Sequence, residues 1–272
     1  MNILKKILLF LPIAFLAVIA AFDLWGLLTL GTITPEPQPN RNQDANAVVM
    51  VFGATGSAGD GLLKAAMEDP NVKKIYVVTR RTSPRIEAGL AAGRIEMKLH
   101  KDFTDYSEMS DILTQVNTVL WGLGTSSLQV DDATYTWIHV DFPVAFVTQW
   151  LQARQAGPMS FHYITGMGTD GDAHWALEKS RAEQEVANLA ATSDLRSFSY
   201  RSAYIRPASE QANIMHYLGE TLLRPGALVI TSRDLGAAML EISARTQELP
   251  NGTLIDNLDS IRYAKAYRTY NE

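Results

Sequence analysis

The sequence predicts an α/β fold with a doubly wound parallel sheet, preceded by an N-terminal apolar helix. Three observations carry that expectation. From Ala47 onward, short apolar runs alternate with longer amphipathic stretches, as successive βαβ units require. The run 47–52 is apolar throughout, which suits a strand buried on both faces. Gly53-Ala54-Thr55-Gly56-Ser57-Ala58-Gly59 follows it directly and opens a helix.

The elements are expected in the following order. Residues 7–22 are apolar behind Lys5 and Lys6; Asp23 interrupts, and Leu24 to Leu30 continue. A spanning helix needs about 20 mostly apolar residues, so 1–33 reads as a single-pass membrane anchor, with Trp25 suited to the interface. A cleaved signal peptide competes, with small residues at Val18-Ile19-Ala20 and Ile19-Ala20-Ala21; apolarity beyond them favours retention. Pro35, Pro37 and Pro39 make 34–46 a stiff, extended linker to the domain at 47–272. Strands are expected at 47–52, 74–79, 95–99, 117–121, 160–165 and 197–201. Helices are expected at 57–69, 106–115, 132–156, 175–192 and 232–247.

The 272 residues carry a net charge of −5, which gives no overall attraction to nucleic acid. Cysteine is absent, so disulfides and thiolate chemistry are excluded. The five histidines show no metal-ligand spacing, and no metal site is expected.

The glycine turn is where chemistry enters. A dinucleotide pyrophosphate needs a tight turn without obstructing side chains. Gly53 permits the sharp exit from the strand, Gly56 the approach of backbone to phosphate, and Gly59 close helix–sheet packing. Thr55, Ser57 and Ala58 complete the turn, and the helix start offers free amides to phosphate. After the second strand, Arg80 and Arg81 stand where an NAD-specific site places a carboxylate on the ribose hydroxyls. Guanidinium groups suit a phosphate there, so the expected cofactor is NADP, with Ser83 and Arg85 joining the pocket. Gly122, Leu123 and Gly124 follow the fourth strand and let a nicotinamide ribose lie against backbone. Such a cofactor conflicts with the membrane side that Lys5 and Lys6 favour, and the side is left open.

The G-x-x-G-x-x-G spacing with its Ala-Thr insert resembles the short-chain dehydrogenase/reductase superfamily, and more narrowly its atypical, NmrA-like branch. The resemblance runs in order over 47–265 and includes Leu123-Gly124-Thr125 and Tyr204-Ile205-Arg206-Pro207. It implies a Rossmann-type fold and a catalytic Tyr-x-x-x-Lys pair on one helix face. Lys179 is in place to hold the nicotinamide ribose, but Trp175 stands where the tyrosine belongs, and indole exchanges no proton at neutral pH. The substrate-polarising hydroxyl falls on Gly166 in the usual register, and on Thr165 only in a shifted one. His174, Tyr163 and Tyr204 are the remaining donors. Ser232 is expected to cap the late helix, with Leu235, Met239 and Ile242 inward. The lead expectation is an NADP-binding reductase of a small carbonyl or quinone-like substrate, with Lys179 and Thr165 as its catalytic residues. The alternative is a non-catalytic cofactor-binding sensor, scaffold or membrane-complex assembly factor.

Overall fold

The structure is a computed structural model that describes residues 3–271, with side chains from Leu11 onward. Met1, Asn2 and Glu272, at the ends of the segments 1–33 and 47–272, lie outside the described residues, and so do the Lys5 and Lys6 side chains behind the orientation reading. In chain order the elements are α1 (Ile3–Thr29), β1 (Val48–Phe52), α2 (Ser57–Glu68), β2 (Lys74–Thr79), α3 (Pro84–Ala91), β3 (Ile95–Leu99), α4 (Ser110–Leu113) and β4 (Thr118–Trp121). Then come α5 (Asp132–Thr136), α6 (Phe142–Ala153), β5 (Met159–Ile164), α7 (His174–Ala190), β6 (Leu195–Arg201) and β7 (Tyr204–Arg206). The chain ends with α8 (Ile214–Leu223), β8 (Val229–Thr231), α9 (Ser232–Ala244), β9 (Thr253–Asp256) and α10 (Asn257–Asn271).

Seven strands form one parallel sheet in the order β3-β2-β1-β4-β5-β6-β9; β7 and β8 pair separately. The alternation within β1 explains the two layers. Val49 and Val51 face a core with Leu62, Leu63, Leu235, Met239 and Tyr263 from α2, α9 and α10. Met50 and Phe52 face an aromatic core with Trp121, Phe146, Trp150 and Phe161. Each side chain one residue on points to the opposite face of the sheet, so an all-apolar strand feeds both layers. Because β1 pairs with both β2 and β4, the chain direction across the sheet reverses there, and a crevice opens beyond the strand ends.

Several local expectations are corrected. The helix expected over 132–156 is broken by a π-type turn, Trp137–Asp141, between α5 and α6. Pro143 is the cause: it has no N–H to give to the His139 carbonyl one turn earlier. The stretch 106–115 is a 3₁₀ turn, Ser107–Met109, running into the short α4. Elements α3, α8 and β7 to β9 add to the expected set. Thr231, not Ser232, caps α9, accepting from the Asp234 amide at 3.0 Å; Ser232 is the first helical residue and fully buried.

Within α1, Leu11–Thr29 is long and apolar enough to cross a membrane by length and composition. The chain beyond it is strapped to the domain. Gly31 N donates to Asp256 at 2.7 Å and Ile33 N to Asp259 at 2.8 Å. Arg41 makes a two-pronged ion pair, 2.5 and 2.8 Å, with the buried Glu241 of α9.

Candidate functional site

A cleft of about 370 Å³ lies at the β1–β4 crevice, within the size range of small-molecule sites. Gly56, Ser57 and Ala58 form one wall and Gly122, Leu123 and Gly124 the other, with Thr125, His139, Ile164 and Lys179 completing it. Larger hollows exist, one of about 650 Å³ between the strap and α10, but that one has no glycine turn or helix start aimed into it.

The glycine turn is shaped as a cradle. Gly53 takes φ +72°, and a Cβ there would meet the Leu123 amide at 2.6 Å. A Cβ on Gly59 would run into the Gly53 backbone, so α2 sits directly on the turn. At Gly56 only the Gly53 carbonyl comes near, at 3.4 Å, which leaves the outer side open. Asp60 N closes the first helical bond, to Gly56 at 2.9 Å, so the Ser57, Ala58 and Gly59 amides of α2 have no carbonyl of their own helix to satisfy them. These are the features a pyrophosphate requires, and the residues fit one.

Gly124 answers to a second constraint. His139 is packed at its Cα, and a Cβ there would come within 2.7 Å of the imidazole Cε1. The ring is buried, and its Nε2 donates to the Thr125 carbonyl at 2.9 Å. Desolvation, with a smaller push from the Lys179 charge, lowers its pKa to about 3, so it is neutral. Sequence reasoning missed this residue, because the contact that gives it a purpose lies 14 positions upstream.

Lys179 is buried at the cleft floor on α7. Its Nζ donates to the Ile164 carbonyl at 3.0 Å and lies 4.7 Å from the Tyr163 ring centroid. Burial brings its pKa down to about 7, against a smaller upward pull from Glu183. Trp175 lies one turn earlier on the same face and covers Gly168, where a Cβ would be 3.3 Å from the indole.

The other candidates are distributed differently. The Thr165 hydroxyl donates to Glu183 at 2.7 Å, a carboxylate that Arg201 also grips at 2.7 Å, so it points to α7. Gly166 sits at φ +100°, a backbone that a side chain would strain. Arg80 and Arg81 are exposed on the loop after β2, and among the described residues neither has a carboxylate partner. Arg85 does not join them: its guanidinium is held by Asp60 of α2 at 3.0 and 2.9 Å. Ser83 caps α3. Of the alternative donors, Tyr163 gives its proton to the His139 carbonyl at 2.8 Å, and Tyr204 lies under α8 beside Gly219. His174 is exposed near Asp132.

No family model matches the chain. A stretch of 128 residues is 28% identical to "Protein FMP52, mitochondrial" of Chaetomium globosum, covering 45% of this chain and 50% of that one. A stretch of 143 residues is 24% identical to "Leucinostatins biosynthesis cluster protein T" of Purpureocillium lilacinum, covering 52% and 51%. The chain thus spans about half the length of the curated relatives it matches. Among solved structures it superposes on an oxidoreductase of the short-chain dehydrogenase/reductase family from Burkholderia thailandensis, at TM-score 0.61 and 14% identity, covering 84% of this chain and 98% of that one. A short-chain dehydrogenase/reductase from Serratia marcescens matches at 0.60 and 12%, covering 82% and 100%. A 3-oxoacyl-[acyl-carrier protein] reductase from Brucella melitensis, in complex with NAD, matches at 0.60 and 14%, covering 79% and 98%. The chain has the Rossmann fold of the short-chain dehydrogenase/reductases.

Proposed function

We propose that this chain is an NADP-binding protein of the atypical, NmrA-like short-chain reductase kind, held at a membrane by α1 and reducing a small carbonyl or quinone-like compound. The observation that carries the reading is the convergence of the glycine turn, the Gly122–Gly124 loop and Lys179 on one cleft at the sheet's switch point. The likeness to a reductase solved with NAD supports a nicotinamide dinucleotide, and the exposed guanidinium groups of Arg80 and Arg81, without a carboxylate partner among the described residues, support NADP.

In this reading the backbone amides at Ser57, Ala58 and Gly59, with Gly53, Thr55 and Gly56, hold the pyrophosphate. Gly122, Leu123 and Gly124 let the nicotinamide half lie flat against the chain. Lys179 directs its remaining Nζ donors at the ribose hydroxyls, one being committed to Ile164. The bound cofactor would supply hydride. Neutral His139 holds the Thr125 loop and carries no charge to oppose it.

A second reading draws on Trp175 and Thr165. Without a tyrosine on α7, and with the Thr165 hydroxyl tied to Glu183, the cleft wall offers neither the usual acid nor the usual carbonyl-polarising hydroxyl. A cofactor-bound sensor, scaffold or assembly factor needs only the cradle.

Titration of the full chain with NADPH and NADH, followed by Trp175 emission, tests the shared part; Trp121 is sealed in the core, and a Trp175→Phe variant identifies the reporter. Quenching by NADPH well ahead of NADH supports the NADP reading, and no response to either overturns it. Turnover with a carbonyl and quinone panel then separates enzyme from sensor.

A further inference from the structure

Helix α8 wears its polarity inside out. Glu220 faces inward with its side chain 9% exposed, ion-paired to Arg206 at 2.6 Å and to Arg224. On the outer face Ile214 is 79% and Met215 66% exposed, with Leu218 beside them, while Tyr217 stacks toward Arg206. A helix that faces water carries the opposite arrangement, and adjoining exposed apolar side chains mark a surface that something covers.

The neighbouring helix says what covers it. The apolar α1 packs against α8: Asp23 of α1 accepts the Gly226 amide at 3.0 Å, and Gly26 sits directly against Gly226, three residues past the end of α8. Leu24, Trp25, Leu27 and Leu28, on the stretch of α1 flanking this contact, are all exposed. The two apolar surfaces therefore adjoin, and one of them has the length and composition of a bilayer span.

The contact also sets direction. Gly31 is tied to Asp256, the last residue of β9, and Asn257 bridges the Ala203 amide and the Ala227 carbonyl at 3.3 and 2.6 Å. In a parallel sheet these strand ends share one edge, which is the edge where the cofactor cleft opens. The anchor thus leaves the domain on its ligand side.

We infer that the outer face of α8 lies in the lipid–water interface beside α1, so that the ligand edge faces the bilayer and the substrate is an apolar carbonyl or quinone dissolved in lipid. This rests on the anchor reading given above. An interfacial helix with a polar face bound to protein and an apolar face bound to lipid accounts for the Glu220–Arg206 pair and for Ile214 and Met215 together.

The absence of cysteine makes the test direct. Single variants Met215→Cys and Leu218→Cys carry an environment-sensitive fluorophore on the full chain, in vesicles of phosphatidylcholine and phosphatidylglycerol. Ile13→Cys reports the anchor, and Leu90→Cys on α3 reports water. The expected result is blue-shifted emission at 13, 215 and 218, lost on nitroxide-bearing lipids, with no change at 90. Labels at 215 and 218 that stay in water while 13 is in lipid overturn the inference and leave the anchor standing. Labels shielded there without nitroxide quenching assign the face to a protein partner or second copy and overturn it too. A label at 13 that stays in water removes the anchor reading and this inference with it.

Discussion

The Tyr163 hydroxyl donates to the His139 carbonyl at 2.8 Å, and that carbonyl is the one Pro143 leaves without a helical donor. A helix break, a proline and a buried tyrosine are thus one device, which fixes His139 under the Gly124 loop. Tyr163→Phe leaves a buried carbonyl unpaired and should cost about 1–3 kcal/mol. In a Pro143→Ala background the restored amide supplies the bond, so the same substitution should cost less. Urea unfolding of the four chains measures the coupling, and additive costs would refute the device.

Lys179 should make stability depend on pH. Its folded pKa is lowered from 10.5 to about 7, so between these values the unfolded chain holds the extra proton and stability rises with pH. Below about pH 7 the buried ammonium is charged in both states and its cost is constant. The wild type should therefore gain about 4 kcal/mol on Lys179→Met between about pH 6 and pH 10. Urea midpoints across that range check it; parallel curves would contradict it. Under the proposed role, NADPH affinity should fall as pH rises through about 7, because Nζ loses its charge.

Gly124→Ala should act through His139. The added Cβ meets the imidazole Cε1 at 2.7 Å, so the loop or the ring must move. Overpacking of this kind costs about 1–3 kcal/mol. Under the proposed function NADPH binding weakens as well, and His139→Ala relieves the loss of stability. A loss of binding unrelieved by His139→Ala would place the glycine's role at the cofactor instead.

Arg80→Glu with Arg81→Glu should invert cofactor choice. Charge-assisted hydrogen bonds to a phosphate are worth about 1.5–3 kcal/mol, so NADPH affinity should fall roughly ten- to hundredfold while NADH binding holds or improves. Equal losses for both cofactors would assign these side chains to something other than the ribose phosphate.

Trp175→Tyr should restore the missing acid on the face of α7 that carries Lys179. General acid catalysis contributes about 10²–10⁴-fold, so turnover of an accepted carbonyl should rise toward that range, with NADPH affinity little changed. Intact binding and no turnover in either chain would favour the sensor or scaffold reading.

What the sequence by itself determined is local. Apolar runs placed the six main strands within a residue or two, and their alternation with amphipathic stretches gave the doubly wound sheet, because strand and helix periods are properties of neighbours in the chain. The glycine turn was legible for the same reason: its φ values and its tight contact with the next helix are set within seven residues. The break at Pro143 was missed, although a proline within a helical pattern marks it. Tertiary structure alone decided the rest. Arg85 looked like a phosphate ligand until the fold brought Asp60 to it, and only the fold shows that the Thr165 hydroxyl donates to Glu183. For α8 the pattern marks an apolar face but not whether that face looks inward; only the Glu220–Arg206 pair on the opposite side settles the sign. Lys179 acquires its lowered pKa from its burial in the fold. Desolvation and direction depend on what lies across space, and no reading of neighbours along the chain contains them.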